Sequence, residues 1–126
     1  MAIDYPVIDL HSHLRNEIYM HTRIAAESGI HTVVYMANTD PVMDNVDIIK
    51  ASLEKKRNCQ ALPVSAITKN LEGKELVNVD AIRDYVVGFS DDGKTLNSLS
   101  LLEKALEKYV LVMLHCEPRQ RWWKPT

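Results

Sequence analysis

The chain has 126 residues, 15 basic against 17 acidic and a net charge of −2, and 46% of it is hydrophobic. That is enough for one domain with a core of its own. The near-neutral balance provides no electrostatic footprint for nucleic acid or an anionic membrane, and no apolar run reaches the ~20 residues that would cross a bilayer. The first residues lack the basic-then-apolar pattern of a secretory leader, and Cys59 and Cys116 are too few for a disulfide framework, so a reducing, cytoplasmic setting is expected.

The first strand-like run, 7–10, leads into Asp9-Leu10-His11-Ser12-His13-Leu14-Arg15. Side chains alternate along a strand, so His11 and His13 share a face, about 7 Å apart along the chain. Two neutral imidazoles on one strand end form a natural pair of metal ligands. A helix over 18–28 follows, with Gly29 placed to stop it. His21 and His31 lie in or beside that helix and are expected to be solvated. Met20, Met36, Met43 and Met113 are read as packing residues.

The next runs cover 32–36, 61–67, 86–89 and 110–114, so the five starts at 7, 32, 61, 86 and 110 step by 25, 29, 25 and 24 residues. That is the length of a βα unit with short loops, which predicts parallel strands covered by helices. Asp44 is placed to cap a helix whose Val46, Ile49 and Leu53 share one face, with Lys55, Lys56 and Arg57 favourable at its C-terminal end. A third helix falls around 79–85. The fourth begins at a capping box, Ser100 to Glu103, or earlier at Asn97 or Ser98. Pro63 belongs at the start of its strand, because it cannot donate to a ladder.

Every strand ends in polar residues: His11, His13 and Arg15; Asn38 and Thr39; Thr68 and Lys69; Ser90, Asp91 and Asp92; His115 and Glu117. Strand C-termini are where βα folds collect binding and chemistry. The three histidines supply nitrogen ligands, and Asp91 or Asp92 an oxygen able to bridge two ions. Nitrogen and carboxylate together suit zinc, and zinc acidifies bound water from ~15.7 to ~7 so that it can attack a carbonyl. Arg15 offers a planar fork for a substrate carboxylate, and Asn38 an amide for the same task. Lys69 reads as a solvated loop lysine, Glu117 as a group that faces either the site or solvent, and Cys116, opposite His115 in strand phase, as a packed free thiol.

The four motifs Asp9 to Arg15, Met36-Ala37-Asn38-Thr39-Asp40-Pro41, Phe89-Ser90-Asp91-Asp92-Gly93 and His115-Cys116-Glu117 resemble, in order and spacing, the dihydroorotases of the amidohydrolase superfamily. The Ser-Asp-Asp-Gly motif is similar to the class with an aspartate in the bridging position, whereas hydantoinases and allantoinases, the nearest alternatives, place a carboxylated lysine there. The resemblance implies an α/β fold of parallel βα repeats, five strands and four helices over 1–117, forming about the first half of a TIM-type (β/α)8 barrel, and a divergent tail over 118–126. It implies one or two zinc ions. His11 and His13 would bind the first, Asp92 would bridge, His115 would bind the second, and His13, Arg15 and Asn38 would hold substrate carboxylates. The implied reaction is the reversible closure of N-carbamoyl-L-aspartate to dihydroorotate, in pyrimidine synthesis.

A complete barrel takes ~250 residues. The family's further histidine and late, proton-shuttling aspartate lie in later strands, so this chain is expected to be incomplete or inactive alone. The implied partners are a small-molecule substrate and either a second copy or aspartate carbamoyltransferase, for which some dihydroorotase-like chains act as non-catalytic scaffolds. A flavodoxin-like domain would fit the length, but there is no glycine-rich loop after the first strand, and it leaves the histidines unexplained.

Overall fold

The computed structural model of the protein describes residues 5–117. Strands and helices alternate in it: β1 (Val7–Ser12), α1 (Ile18–Glu27), β2 (Ile30–Tyr35), α2 (Val46–Glu54), β3 (Gln60–Ser65), α3 (Val79–Ile82), β4 (Gly88–Phe89) and α4 (Leu99–Leu106). The strands are parallel, in the order β1-β2-β3-β4, and curl into a half-barrel. β1 lies at the edge, which rules out the doubly wound alternative, where it would be central.

The expected fifth strand is reduced to one parallel bridge, Phe89 to Val112, flanked by Phe89 N–H donating to Leu111 O at 2.9 Å and Met113 N–H to Phe89 O at 2.9 Å. The reason lies in β4. It is only two residues long, preceded by a 3-10 turn (Arg83–Tyr85) and followed by the departing Ser90-Asp91-Asp92 segment, so it offers a ladder for one residue pair. The position beside β4 and the parallel sense are as the spacing predicts.

Local signals explain most element ends. Gly29, at φ +83°, follows the α1 C-cap Ser28 in the left-handed region that glycine adopts without cost. The α2 cap is Asn45 rather than Asp44. Asn45 has the extended backbone a cap needs, and its Oδ1 accepts from Ile48 N–H at 3.1 Å. Asp44 is turned away to accept from Asn70 N–H at 2.8 Å. Ser98, one of the two earlier alternatives to Ser100, caps α4. Pro63 sits inside β3, not at its start. Its carbonyl accepts from Val87 N–H, so its peptide edge faces the turn ahead of β4, where no ladder donor is needed.

The core lies between the sheet and its helices. Tyr35, Ile49, Ile67, Ile82 and Phe89 are fully buried there. Tyr35 reaches from β2 to α2 with its hydroxyl 2.8 Å from Ser52 Oγ, and burial pushes that hydroxyl's pKa up. Arg57 closes the α2 C-terminus as expected, donating to the Ser52 and Leu53 carbonyls and, across to β3, to Ala61 O. Two packing expectations fail. Met20 is half exposed on α1, and Cys116 is exposed, because a one-bridge segment presents no covered second face. The expected tail, 118–126, lies outside the described residues.

The opposite face of the sheet carries a small buried cluster, Val34, Met36 and Val64, and is open beside it. Ile8, Leu10, Val34, Leu62, Leu111 and Met113 line an apolar trough of about 550 Å³. No helix among the described residues is long and apolar enough to cross a membrane.

Candidate metal centre

The site begins with an irregularity in β1. Asp9 lies opposite Val33 and Ser12 opposite Tyr35, so three steps on β1 match two on β2. One extra residue in a strand is a bulge, and it reverses the side-chain phase. Ile8 and Leu10 face the inner trough before the bulge. Strict alternation would then send His11 and His13 to the helix side with Asp9. After the bulge Ser12 shares the side of Tyr35, and both histidines turn to the inner face.

Asp92 stands where they converge. His11 Nε2 is 3.1 Å from Asp92 Oδ1, His13 Nε2 is 3.4 Å from Oδ2, and His115 Nδ1 is 3.7 Å from Oδ1. The Asp92 side chain is 8% exposed, while His11 is 55% exposed, so the carboxylate forms the floor and the imidazoles the rim. The ligand atoms of His11, His13 and Asp92 lie within 4.8 Å of one another.

The two neighbouring aspartates divide the work. Asp91 turns into the fold and accepts from Ile67 N–H at 2.8 Å, from Thr68 N–H at 3.0 Å and from the Thr68 hydroxyl. A buried carboxylate with three donors is satisfied and locks the end of β3 to the end of β4. Alternation then leaves Asp92 facing the cluster. Which of the two faces the histidines, open on residue type alone, follows from which one the β3 end captures.

Asn38 bridges two members of the cluster. Its Oδ1 lies 3.1 Å from His13 Nδ1 and its Nδ2 donates to Asp92 Oδ2 at 3.3 Å. An amide oxygen only accepts, so Nδ1 of His13 carries a proton, and in the neutral ring the Nε2 lone pair faces the carboxylate. Two acceptors facing each other at 3.4 Å repel, and either a cation between them or a proton on Nε2 makes the contact attractive. Zinc fits the donor set. Ligands ~2.0–2.2 Å from one tetrahedral ion are separated by ~3.3–3.6 Å, and the imidazole-to-carboxylate distances of 3.1 and 3.4 Å lie near that range.

Arg15, held at φ +50°, donates from Nη1 to Asn38 O at 2.9 Å and borders a cleft of about 140 Å³ with Asn16, Asp40, Pro41 and Lys55. Of the remaining candidates, all but Glu117 lie apart from the cluster. Lys69 pairs with Glu75 in solvent. His21 is half-buried rather than solvated, with Nδ1 3.1 Å from Leu14 O, and His31 lies in β2, where its ring accepts from Val7 N–H. Glu117 faces the site's edge, with Oε2 3.2 Å from His115 Nε2. Sequence reasoning missed the bulge and the Asn38 bridge. Neither leaves a local signal, since both depend on a partner strand.

The family model described as dihydro-orotase-like matches residues 3–118. Among curated relatives, a dihydroorotase of Clostridium acetobutylicum is 40% identical over 111 aligned positions, covering 80% of this chain and 26% of its own length. One of Aquifex aeolicus is 35% identical over 125 positions (87% of this chain, 30% of its own), and one of Clostridioides difficile 38% over 112 (81% and 27%). The chain therefore spans less than a third of the length of these relatives.

Proposed function

Because this chain belongs to the dihydro-orotase-like family, we propose that it carries the metal-binding half of a cyclic amide hydrolase site, acting between N-carbamoyl-L-aspartate and dihydroorotate in pyrimidine synthesis. The observation that carries this reading is the convergence of three imidazoles from β1 and the 110–117 segment on the buried Asp92 carboxylate. In this reading His11 and His13 would hold one zinc ion, His115 would hold a second, and Asp92 would serve both. Bound zinc would supply Lewis-acid polarisation of the carbonyl and a nucleophile at neutral pH.

The chain's own residues do the rest. Asn38 holds His13 in the tautomer that presents Nε2, and ties Asp92 to the same point. Arg15, positioned by the Asn38 carbonyl, offers guanidinium N–H groups to a substrate carboxylate, with His13 and Asn38 beside it. The aspartate at the end of β4 supports the dihydroorotase reading over the hydantoinase one. The retained ligand cluster supports metal chemistry over a purely scaffolding role with aspartate carbamoyltransferase. Two free cysteines fit a cytoplasmic setting, and the open trough suits contact with a second copy.

The family's proton-shuttling aspartate has no counterpart in the four matched motifs, and a general base commonly contributes ~10²–10⁴ in rate. Residues 1–126 alone should therefore bind zinc with little or no turnover. Zinc titration by chelator competition, with dihydroorotate hydrolysis as the activity readout, tests this. His13→Ala should weaken zinc binding at least ~10-fold, since it removes a ligand. Zinc binding that ignores His13→Ala would remove the reading. Ordinary turnover abolished by His13→Ala would place a second copy in the missing half of the barrel.

A further inference from the structure

We propose that Glu117 is a positioning residue for His115: its carboxylate holds the proton on Nε2, so that Nδ1 is presented to Asp92 and to a metal ion bound there. This inference rests on the metal-site reading above.

His115 is the ligand with the least support from the sheet, since its segment is tied to β4 by a single bridge. Its ring is nonetheless oriented at both nitrogens, with Nε2 3.2 Å from Glu117 Oε2 and Nδ1 3.7 Å from Asp92 Oδ1. An ionised carboxylate only accepts, so the Glu117 contact is a hydrogen bond only when Nε2 carries the proton. A neutral ring in that tautomer has its lone pair on Nδ1, on the side of Asp92. The i, i+2 spacing in an extended segment is what puts both side chains on one face.

Glu117 is itself anchored. Thr95 Oγ1 donates to Glu117 O at 2.5 Å and accepts from Glu117 N–H at 3.1 Å. Thr95 lies three residues after Asp92, on the loop that carries it. The loop supplying the floor of the site thus clamps the residue that aims the third imidazole. A carboxylate on the far nitrogen of a ligating histidine fixes ring and tautomer, and its loss typically costs 10–100-fold in metal affinity. The Glu117 side chain is 77% exposed, and an exposed ion pair adds little to stability. Its removal should therefore leave the fold intact.

The test compares the parent chain with Glu117→Ala, Glu117→Gln and an exposed control, Glu107→Ala. Long-range ¹H–¹⁵N spectra of the metal-free chain at pH 8 report the His115 tautomer, and chelator competition reports the zinc Kd. The parent should show the Nε2–H form. Glu117→Ala should mix the tautomers and raise the zinc Kd about 10-fold or more, with an unchanged melting temperature. Glu117→Gln, whose amide oxygen accepts the same N–H, should restore most of both, and Glu107→Ala should change neither. An Nδ1–H form in the parent overturns the proposal, as does a Glu117→Ala variant with unchanged tautomer or unchanged Kd. If the parent binds no zinc, the metal-site reading fails, and the metal-free spectra still decide the role of Glu117.

Discussion

The two faces of the sheet are built on different terms. The outer face, under the helices, holds Val33, Tyr35 and Phe89 with almost no exposure, and Ile49 of α2 is buried in the same layer. The inner face holds a smaller buried cluster, Val34, Met36 and Val64, and beside it on β1 Ile8 is 53% and Leu10 69% exposed. The catalytic candidates belong to the inner face, at its C-terminal rim, where His11 and His13 arrive only because a bulge shifts β1 by one residue. The larger buried cluster therefore lies on one side of the sheet and the candidate ligands on the other, and a substitution should reveal which side it is on by which property it changes.

The largest stability effect belongs to the outer face. Ile49→Ala empties a fully buried position between α2 and the sheet, and such truncations cost about 2–5 kcal/mol. Urea denaturation should show that loss, while the zinc affinity of the still-folded fraction stays within about twofold. A milder loss, confined to one end of the chain, would mean that the helix layer contributes less than its burial suggests.

Gly88→Ala should act on both faces. A Cβ there would lie 2.9 Å from Met113 Cε and 3.1 Å from Leu111 O. The methionine tip can move, but the backbone oxygen belongs to the bridge that holds the 110–117 segment. Overpacking of this kind costs about 1–3 kcal/mol, and it should also displace His115 and weaken zinc binding. Unchanged zinc affinity with lowered stability would separate His115 from the site.

The smallest stability effect should come from the open inner face. Leu10→Ser removes an exposed apolar group, so the melting temperature should move by no more than about 0.5 kcal/mol would shift it. Its effect should be on association, because an apolar trough left in water drives self-contact. Light scattering should find the parent self-associating and Leu10→Ser less so. A clean parent monomer at high concentration would contradict this.

Much of the βα order could be read from the sequence because it rests on local periodicity. Runs of Val, Ile and Leu at 24–29-residue steps need no knowledge of neighbours, and the four strands and the parallel bridge fall where those runs do. The same holds for Gly29 and for the region of the third helix, although the structure splits that helix into a short α turn and a 3-10 turn. The readings that failed involve competition. Asp44 and Asn45 are both competent caps, and Asn70 captures the former. Met20 and Cys116 have apolar or thiol character, but neither receives a covering neighbour.

For the site, the sequence alone named the candidates: His11, His13, His115, the aspartate pair, Arg15 and Asn38, each at the C-terminal end of a strand or run. Their types and order suffice for that, since ligand chemistry is a property of the side chain. Only the tertiary structure decided how they are aimed. The bulge that turns His11 and His13 inward is a mismatch between two strands. The division between Asp91 and Asp92 is set by backbone donors on β3, and the tautomer of His13 by an amide from the end of β2. Each is a relation between segments more than 20 residues apart, and local periodicity carries no information about such relations.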